Sequence, residues 1–547
     1  MPAVGVHDSL VDRAACRVED VPAALFDPGG SSSAWWQLGG GVAVLADHDP
    51  VAFFALEARA GDDCASCFVL NPGDVSSAGA PSATGRINVV EPQGPGLSPR
   101  IGRWPHSRIR QTVSWWRETQ MSQKTVAFFP EPGAWGPTNN LVAIAETLRA
   151  RGTRCVFVIE ESFEGKLAEK GFDEALMRLG PAPENSEAVG EGWAEFIRAT
   201  APEFRKPTIE QLATVIKPIW EELVGGGKYA HGRLMEIWAE HRPDVIVSDN
   251  VVGFAAVPLA GVPWVRMVSA NPLEMEDPDL PPPFSGLPTD DRTGWVEFTA
   301  EFRRLHDPLI AELSDFNVSV GADPLPEGHF QYNSPYANLY LFPEVMDYPR
   351  SIPLDSTWSR LDTTVRTGEE PFDVDSVLPG EGKVVYLSMG SLGCNDLELM
   401  QRLIDALDQT EHRVIVSMGP LGDQMELGER MWGDEFLPQP SILPQCDLLI
   451  THGGNNTVTE GFNFGLPMIV LPLFWDQYDN AQRVQELGFG RRLATYGASQ
   501  DEIVTAVDEL LADSALKARM ADISRQLQAA PAQERAADVV EQLANHT

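Results

Sequence analysis

The chain has 547 residues, 43% of them hydrophobic and 22% charged, which is ordinary globular composition but too long for one core, so two to four domains are expected. A net charge of −38 repels phosphate backbones and anionic lipid, which excludes nucleic acid and peripheral membrane surfaces as partners. No stretch approaches twenty uninterrupted apolar residues, so no integral membrane segment is expected.

In chain order, residues 1–120 come first and differ from the rest. They hold PGGSSS, LGGG, SSAGAPSATG and PQGPGLSPR, which are turn and linker compositions, and carry −4 of the charge against −34 for the remainder. One apolar patch stands out, GVAVLADHDPVAFFALEARA. The opening MPAVGVHDSLVDR has neither a basic start nor an apolar core, so no signal peptide is expected. Met121 stands just before a clean strand, TVAFF. The expectation is a poorly ordered, low-complexity N-terminal extension over 1–120, either an appendage to the catalytic unit or an over-extended start. Six cysteines are too few for a disulfide scaffold and suit a reducing, cytoplasmic setting; Cys64 and Cys67 have metal or redox spacing but no second pair, and are read as plain thiols.

From residue 124 short apolar runs alternate with helical periods. TVAFF is a strand. GPTNNLVAIAETLRARG is a helix, with Pro137 in its first turn, Leu141, Ile144 and Leu148 on one face, and Gly152 at its end. TRCVFVIE is the next strand, and the β-turn-α-β unit demands a parallel pair with a right-handed crossover. Residues 160–241 read as mostly helical. RPDVIVSDN is a strand ending on Asp249, GVPWVRMVSA another, and NLYLFPE the last of this half. Residues 349–372 have no period and read as a linker. The pattern restarts at GKVVYLSMGSLG and runs through HRVIVSMG, CDLLITHGG and PMIVLPLF to helices over 501–546. The fold class is therefore α/β, with two doubly wound parallel sheets, 121–348 and 373–547, facing across a cleft. Ligands in such sheets sit at the carboxyl ends of strands.

One stretch concentrates polar residues at such an end: THGGNNTVTEGFNFGLPMIVLPLFWDQYDNAQ, from Thr451 to Gln482. His452 ends a buried strand, and Gly453 and Gly454 let the backbone turn and expose its amides. Asn455, Asn456 and Thr457 are cap-type residues at the next helix start, where free amides and the helix dipole favour an anion. Glu460 lies one turn in, where a carboxylate can accept two vicinal hydroxyls. Asp476 and Gln477 follow the next strand, and an acid beside an amide suits several sugar hydroxyls.

The run FLPQPSILPQCDLLITHGGNNTVTEGFNFGLPMIVLPLFWDQYDNA closely resembles the donor-binding signature of the family 1 glycosyltransferases, the UDP-glycosyltransferase group. VVYLSMGS resembles the strand and turn opening that family's second domain, and PEPGAWGPTNNLVAIAETLRARG its first strand, loop and helix. The resemblance spans residue 122 to the end. It implies the GT-B fold of two facing Rossmann-like domains: an acceptor-binding domain over 121–348 and a donor-binding domain with C-terminal helices over 373–547. It implies inversion at the anomeric carbon, a hexosyltransferase activity and no metal. It places Phe436 on the base, the Leu437 backbone and Gln439 at the nucleoside, Ser391, His452, Gly454, Asn456 and Thr457 at the diphosphate, Glu460 at the ribose, and Asp476 and Gln477 at the transferred sugar.

Transfer requires a base for the acceptor hydroxyl, usually a His. In the family it follows a Gly in the first loop and precedes a Pro by three. Aligning Gly133 and Pro137 puts Ala134 there, so the expected base is absent. Asp249, matching the acid that orients the His, and Glu131, in the loop of Ala134, are the candidate catalytic residues. The leading expectation is transfer of a hexose from a UDP- or dTDP-sugar to a hydroxyl of a small, largely apolar acceptor, with no cofactor beyond that co-substrate. The alternative is a catalytically silent GT-B protein that binds nucleotide or a partner enzyme.

Overall fold

The computed structural model describes residues 123–181 and 200–545, together with six strands within residues 33–104. It divides into two compact units, Met1–Gln123 and Lys124–Thr547. In the first, β1 (Ser33–Leu38) and β2 (Gly41–Ala46) pair antiparallel, and β3 (Ala52–Leu56), β4 (Ser66–Leu70), β5 (Ile87–Glu91) and β6 (Arg100–Trp104) form an antiparallel sheet. The apolar patch read from the sequence supplies β2 and β3; the other four strands carry no comparable run. Cys16, Cys64 and Met121 lie outside the described residues.

The second unit holds two parallel sheets. The first contains β7 (Thr125–Pro130), β8 (Arg154–Glu160), β9 (Asp173–Met177), β10 (Val245–Asp249), β11 (Trp264–Val268), β12 (Ala337–Tyr340) and β13 (Trp358–Arg360), in the order β13-β12-β11-β10-β7-β8-β9. Every residue of β7, β10, β11 and β12 is buried, which is why they read as unbroken apolar runs and not as alternating ones. Strand order reverses between β7 and β10. In parallel sheets of this kind a reversal of strand order is where ligands bind, outside the carboxyl ends of the strands. Two strands depart from the sequence reading. β9 falls in the stretch read as mostly helical, and β13 falls inside the segment read as a linker. Both are short edge strands, where one neighbour suffices and no strong apolar pattern is needed.

The second sheet contains β14 (Val384–Ser388), β15 (Arg413–Ser417), β16 (Met431–Asp434), β17 (Leu448–Thr451), β18 (Met468–Val470) and β19 (Gly490–Arg492), in the order β16-β15-β14-β17-β18-β19. Its reversal lies between β14 and β17, with Ser388 opposite Thr451. Each candidate site thus sits where a sheet's winding changes direction.

The final helix, Ala532–Asn545, departs from the expected partition. Its Ala536, Ala537 and Val540 are buried in the same core as Val126, Phe128 and Leu141 of the first lobe. Arg151, just past the helix Trp135–Ala150, meets Glu534 and bonds Asp538 and Glu541, each at 2.8 Å. This helix packs on the first lobe, although the sequence before it belongs to the second. The small residues of this helix allow the close approach, so its alanine-rich face reads as bland in the sequence. Among the described residues no helix is long and apolar enough to cross a membrane.

Candidate active site

The second sheet builds an anion-receptive corner. β17 ends at Thr451, and Gly453 turns the chain at φ 93° into the helix Asn455–Phe464. That conformation needs glycine, and a Cβ there would also strike Val470 and the Gln477 backbone. No side chain caps the helix, so its first amides stay open. His452 lies between two glycines: a Cβ on Gly390 would fall 2.6 Å from its ring and one on Gly454 2.5 Å. Burial pushes the imidazole down to about 4, so it is neutral near pH 7 and can donate a hydrogen bond without carrying charge. Ser391 is exposed after β14, and Gly454 and Asn456 are partly exposed beside it. Asn456 Oδ1 has no partner among the described residues. Thr457 is buried one step into the helix.

The nucleoside candidates divide. Phe436 is 72% exposed, an unusual place for a ring of that size. Leu437 and Gln439 lie half-buried below it, and the Gln439 N–H donates to the Leu437 carbonyl at 2.8 Å. Glu460 is fully buried. Its carboxylate accepts from Gln439 Nε2, from Asn456 Nδ2 at 3.3 Å and from Arg366 Nη1 at 3.2 Å. Arg366 comes from the segment read as a linker, and Glu369 meets it from the other side.

The first sheet places two carboxylates at its own reversal. Asp249 ends β10 opposite Pro130, and Glu131 follows directly on β7. Both Asp249 oxygens are engaged by Ser269, Oδ1 by its N–H at 3.3 Å and Oδ2 by its hydroxyl at 2.5 Å. The chain of bonds continues: Asn140 Nδ2 donates to Ser269 Oγ at 2.9 Å, and Thr364 Oγ1 donates to Asn140 Oδ1 at 3.2 Å. Glu131 Oε2 accepts from the Val251 N–H at 2.7 Å, whereas its Oε1 is buried without a partner. Burial, opposed by the bond from the Val251 N–H and helped by the charges of Asp249 and Glu274, pushes Glu131 up to about 8, and burial pushes Asp249 up to about 7. Ala134, at the position of the missing His, bonds its N–H to the Glu131 carbonyl at 3.1 Å and precedes the helix.

Asp476 and Gln477 sit where the lobes meet. Asp476 Oδ2 accepts from the Asn271 N–H of the first lobe at 2.9 Å. Gln477 turns back on its own loop, its Oε1 accepting from the Leu473 N–H at 2.9 Å and the Phe474 N–H at 3.3 Å. Asp479 spans the same seam, accepting from Phe284 N at 2.6 Å and Gly286 N at 2.8 Å. Asn455 Nδ2 reaches the Leu341 carbonyl at 2.9 Å. These bonds join the strand-end loops of the two sheets along one seam.

Sequence reasoning missed the residues of the cavity beside it. A space of about 270 Å³ is lined by Trp220, Phe330 and Trp358 of the first lobe and by Trp475 of the second, with Arg266 and Glu274 among its polar groups. Trp220 stacks on Phe330 with centroids 3.9 Å apart, and Trp475 tilts against Trp220 at 5.2 Å. Arg266 pairs with Glu274 at 2.6 Å and donates to Asn333 Oδ1 at 2.6 Å. A charged residue inside the apolar strand WVRMV was a usable signal. Trp475, with φ 60°, adjoins Asp476 and was legible by position alone.

The buried carboxylates have a consequence for stability. Burial lifts Asp476 to about 7 and Asp479 to about 8, alongside Glu131 and Asp249. A carboxyl whose folded value is raised stabilises the fold while protonated, and that stability is lost as pH rises through the folded value. Above about pH 7 histidines are neutral in both states, so these acids dominate. The thermal midpoint is expected to fall between about pH 7 and pH 8.5, as differential scanning calorimetry would record. A midpoint that rises over this interval contradicts the buried, proton-binding carboxyls.

Comparison with known proteins bears on the family and the fold. Residues 336–543 match the model of the family described as UDP-glucoronosyl and UDP-glucosyl transferase. The chain is 26% identical over 444 residues to the oleandomycin glycosyltransferase of Streptomyces antibioticus, covering 77% of this chain and 91% of that one. It is 24% identical over 250 residues to the uncharacterized UDP-glucosyltransferase YojK of Bacillus subtilis (strain 168), a match spanning 45% of this chain and 56% of the relative. The solved glycosyltransferase VinC, in complex with DTDP, superposes with a TM-score of 0.54 at 18% identity, covering 77% of this chain and all of that one.

Proposed function

We propose, for a chain that belongs to the family 1 glycosyltransferases of UDP-glycosyltransferase type and has their GT-B fold, that it transfers a hexose from a UDP- or dTDP-sugar to a hydroxyl of a small, largely apolar acceptor, with inversion at the anomeric carbon. The observation that supports this best is the uncapped start of the helix Asn455–Phe464, with neutral His452 beside Gly390 and Gly454, at the carboxyl end of β17.

In this reading the diphosphate is held by the helix amides, His452, Gly454, Asn456, Thr457 and Ser391. Phe436 covers the base, with the Leu437 backbone and Gln439 beside it. Asp476 keeps its bond to Asn271 through Oδ2 and offers its other oxygen to a sugar hydroxyl, and Gln477 shapes the same loop. The aromatic cavity takes the acceptor. Glu131 Oε1 is the base: it takes the hydroxyl proton as the acceptor oxygen bonds to the anomeric carbon, and the bond from that carbon to the diphosphate breaks. Amides already oriented toward the departing charge stabilise it without reorganisation, and no metal ion takes part in the proposed step. Asp249, bound on both oxygens, positions Ser269 and keeps Glu131 basic through its charge.

The test is direct. The protein is incubated with UDP-glucose and with a dTDP-hexose over a panel of apolar alcohols and phenols, and products are followed by mass and proton NMR. Nucleotide release with a glycoside of inverted anomeric configuration is expected. Nucleotide binding without turnover on any acceptor overturns the transferase reading, and a retained configuration overturns the single displacement.

A further inference from the structure

The aromatic cavity carries two carboxylates that a neutral, apolar occupant would leave idle. Glu274 and Glu276 stand in its lining, with side chains 21% and 32% exposed. Each is bonded through one oxygen: Glu274 Oε1 accepts from Arg266 Nη2 at 2.6 Å, and Glu276 Oε2 accepts from Arg303 Nη2 at 2.7 Å. Among the described residues no donor reaches the second oxygen of either. The cation of the lining is withdrawn from the space. Arg266 directs Nη1 to Asn333 and Nη2 to Glu274, its Nε is buried, and only 8% of its side chain is exposed. Arg303 lies outside the lining, and His329 is the remaining titratable group within it.

The other walls are rings. Trp220 and Phe330 stack within 6° of parallel, Phe284 tilts against Trp475 with centroids 4.7 Å apart, and the Arg266 guanidinium lies 5.5 Å from the centroid of Trp358. Ring faces attract cations through their quadrupole, and substituted ammonium groups are the ligands such walls hold best. A hydrocarbon covering the free oxygens of Glu274 and Glu276 would strip them of water and return nothing. The chain's charge of −38 adds a field that gathers cations and repels anions.

We propose that the acceptor is a hydroxyl compound carrying a substituted ammonium group, held between the aromatic faces and the carboxylates of Glu274 and Glu276. The proposal rests on the reading that this cavity takes the acceptor, and it assigns that acceptor its charge. Val251, whose N–H holds Glu131, also lines the cavity, so the same wall adjoins the base.

Two phenols of nearly equal shape separate charge from fit: para-tert-butylphenol and its cationic isostere, para-hydroxyphenyl-trimethylammonium. Their affinities for the full chain are measured by titration calorimetry. Glycoside formation from UDP-glucose and from a dTDP-hexose is followed by mass. A desolvated cation on ring faces gains roughly ten- to thirtyfold in affinity, so the cation should bind at least tenfold more tightly. Equal affinities, or tighter binding of the neutral phenol, overturn the proposal; the transferase reading then stands if the neutral phenol is glycosylated. Tight binding of the cation with no glycoside of it overturns the acceptor reading and leaves a cation site. Binding of neither phenol overturns both. Glu276→Gln and Glu274→Gln should each reduce the cation's advantage by about fivefold, while the neutral phenol binds within about threefold as before and so reports an intact cavity. An advantage that survives both substitutions contradicts the role given to the carboxylates.

Discussion

Glu131→Gln is expected to lower kcat by about 10²–10⁴-fold, the usual contribution of a positioned general base, while nucleotide affinity stays within about threefold. The substitution keeps shape and volume. A Gln carbonyl can still accept from the Val251 N–H, now at 2.7 Å from Oε2, so the loop after β7 keeps its tie to the segment after β10. What is lost is the second oxygen, buried and without a partner, which is the one free to take a proton. Steady-state kinetics on the best acceptor decide the matter. Asp249→Asn is the control. It removes a charge that raises Glu131, so the acid limb of the pH profile should move to lower pH while substantial turnover remains. Turnover that survives Glu131→Gln and vanishes in Asp249→Asn would assign the base to Asp249.

Gly454→Ala should weaken donor binding by about 10- to 100-fold and leave the protein folded. The added Cβ would lie 2.5 Å from His452 Nε2, closer than real carbon atoms approach. The imidazole therefore shifts by a sizeable fraction of an ångström at the mouth of the anion corner. Displacements of that order cost up to about 10²-fold where geometry is tight. Calorimetric titration with UDP and dTDP checks it. Unchanged affinity for both would mean that His452 does not face the diphosphate.

Both experiments address features of unequal visibility in the sequence. The uncapped corner at the end of β17 was legible as local structure because its parts are consecutive: a buried strand, His452, two glycines, amide side chains and a helix follow one another within the chain, so spacing encodes geometry. Asp476 was legible for the same reason. The aromatic cavity is built differently. Trp220, Arg266, Glu274, Phe330 and Trp358 come from separate segments and meet only through the sheet and the helices packed on it. No local period announces such a meeting. The interlobe segment hid most. Thr364 and Arg366 lie in an aperiodic stretch that reads as a connector, yet one bonds Asn140 in the Asp249 network and the other Glu460. Their significance resides in partners more than ninety residues away. The missing His was visible as Ala134, but that Glu131 retains an idle buried oxygen could come only from coordinates.

The return of the helix Ala532–Asn545 to the first lobe gives the molecule two covalent crossings between its halves, one through residues 349–372 and one near Ala530. Two tethers oppose separation of the halves, and neither half is a complete folding unit alone: without the terminal helix the first would bare the apolar flank formed by Leu141 and its neighbours.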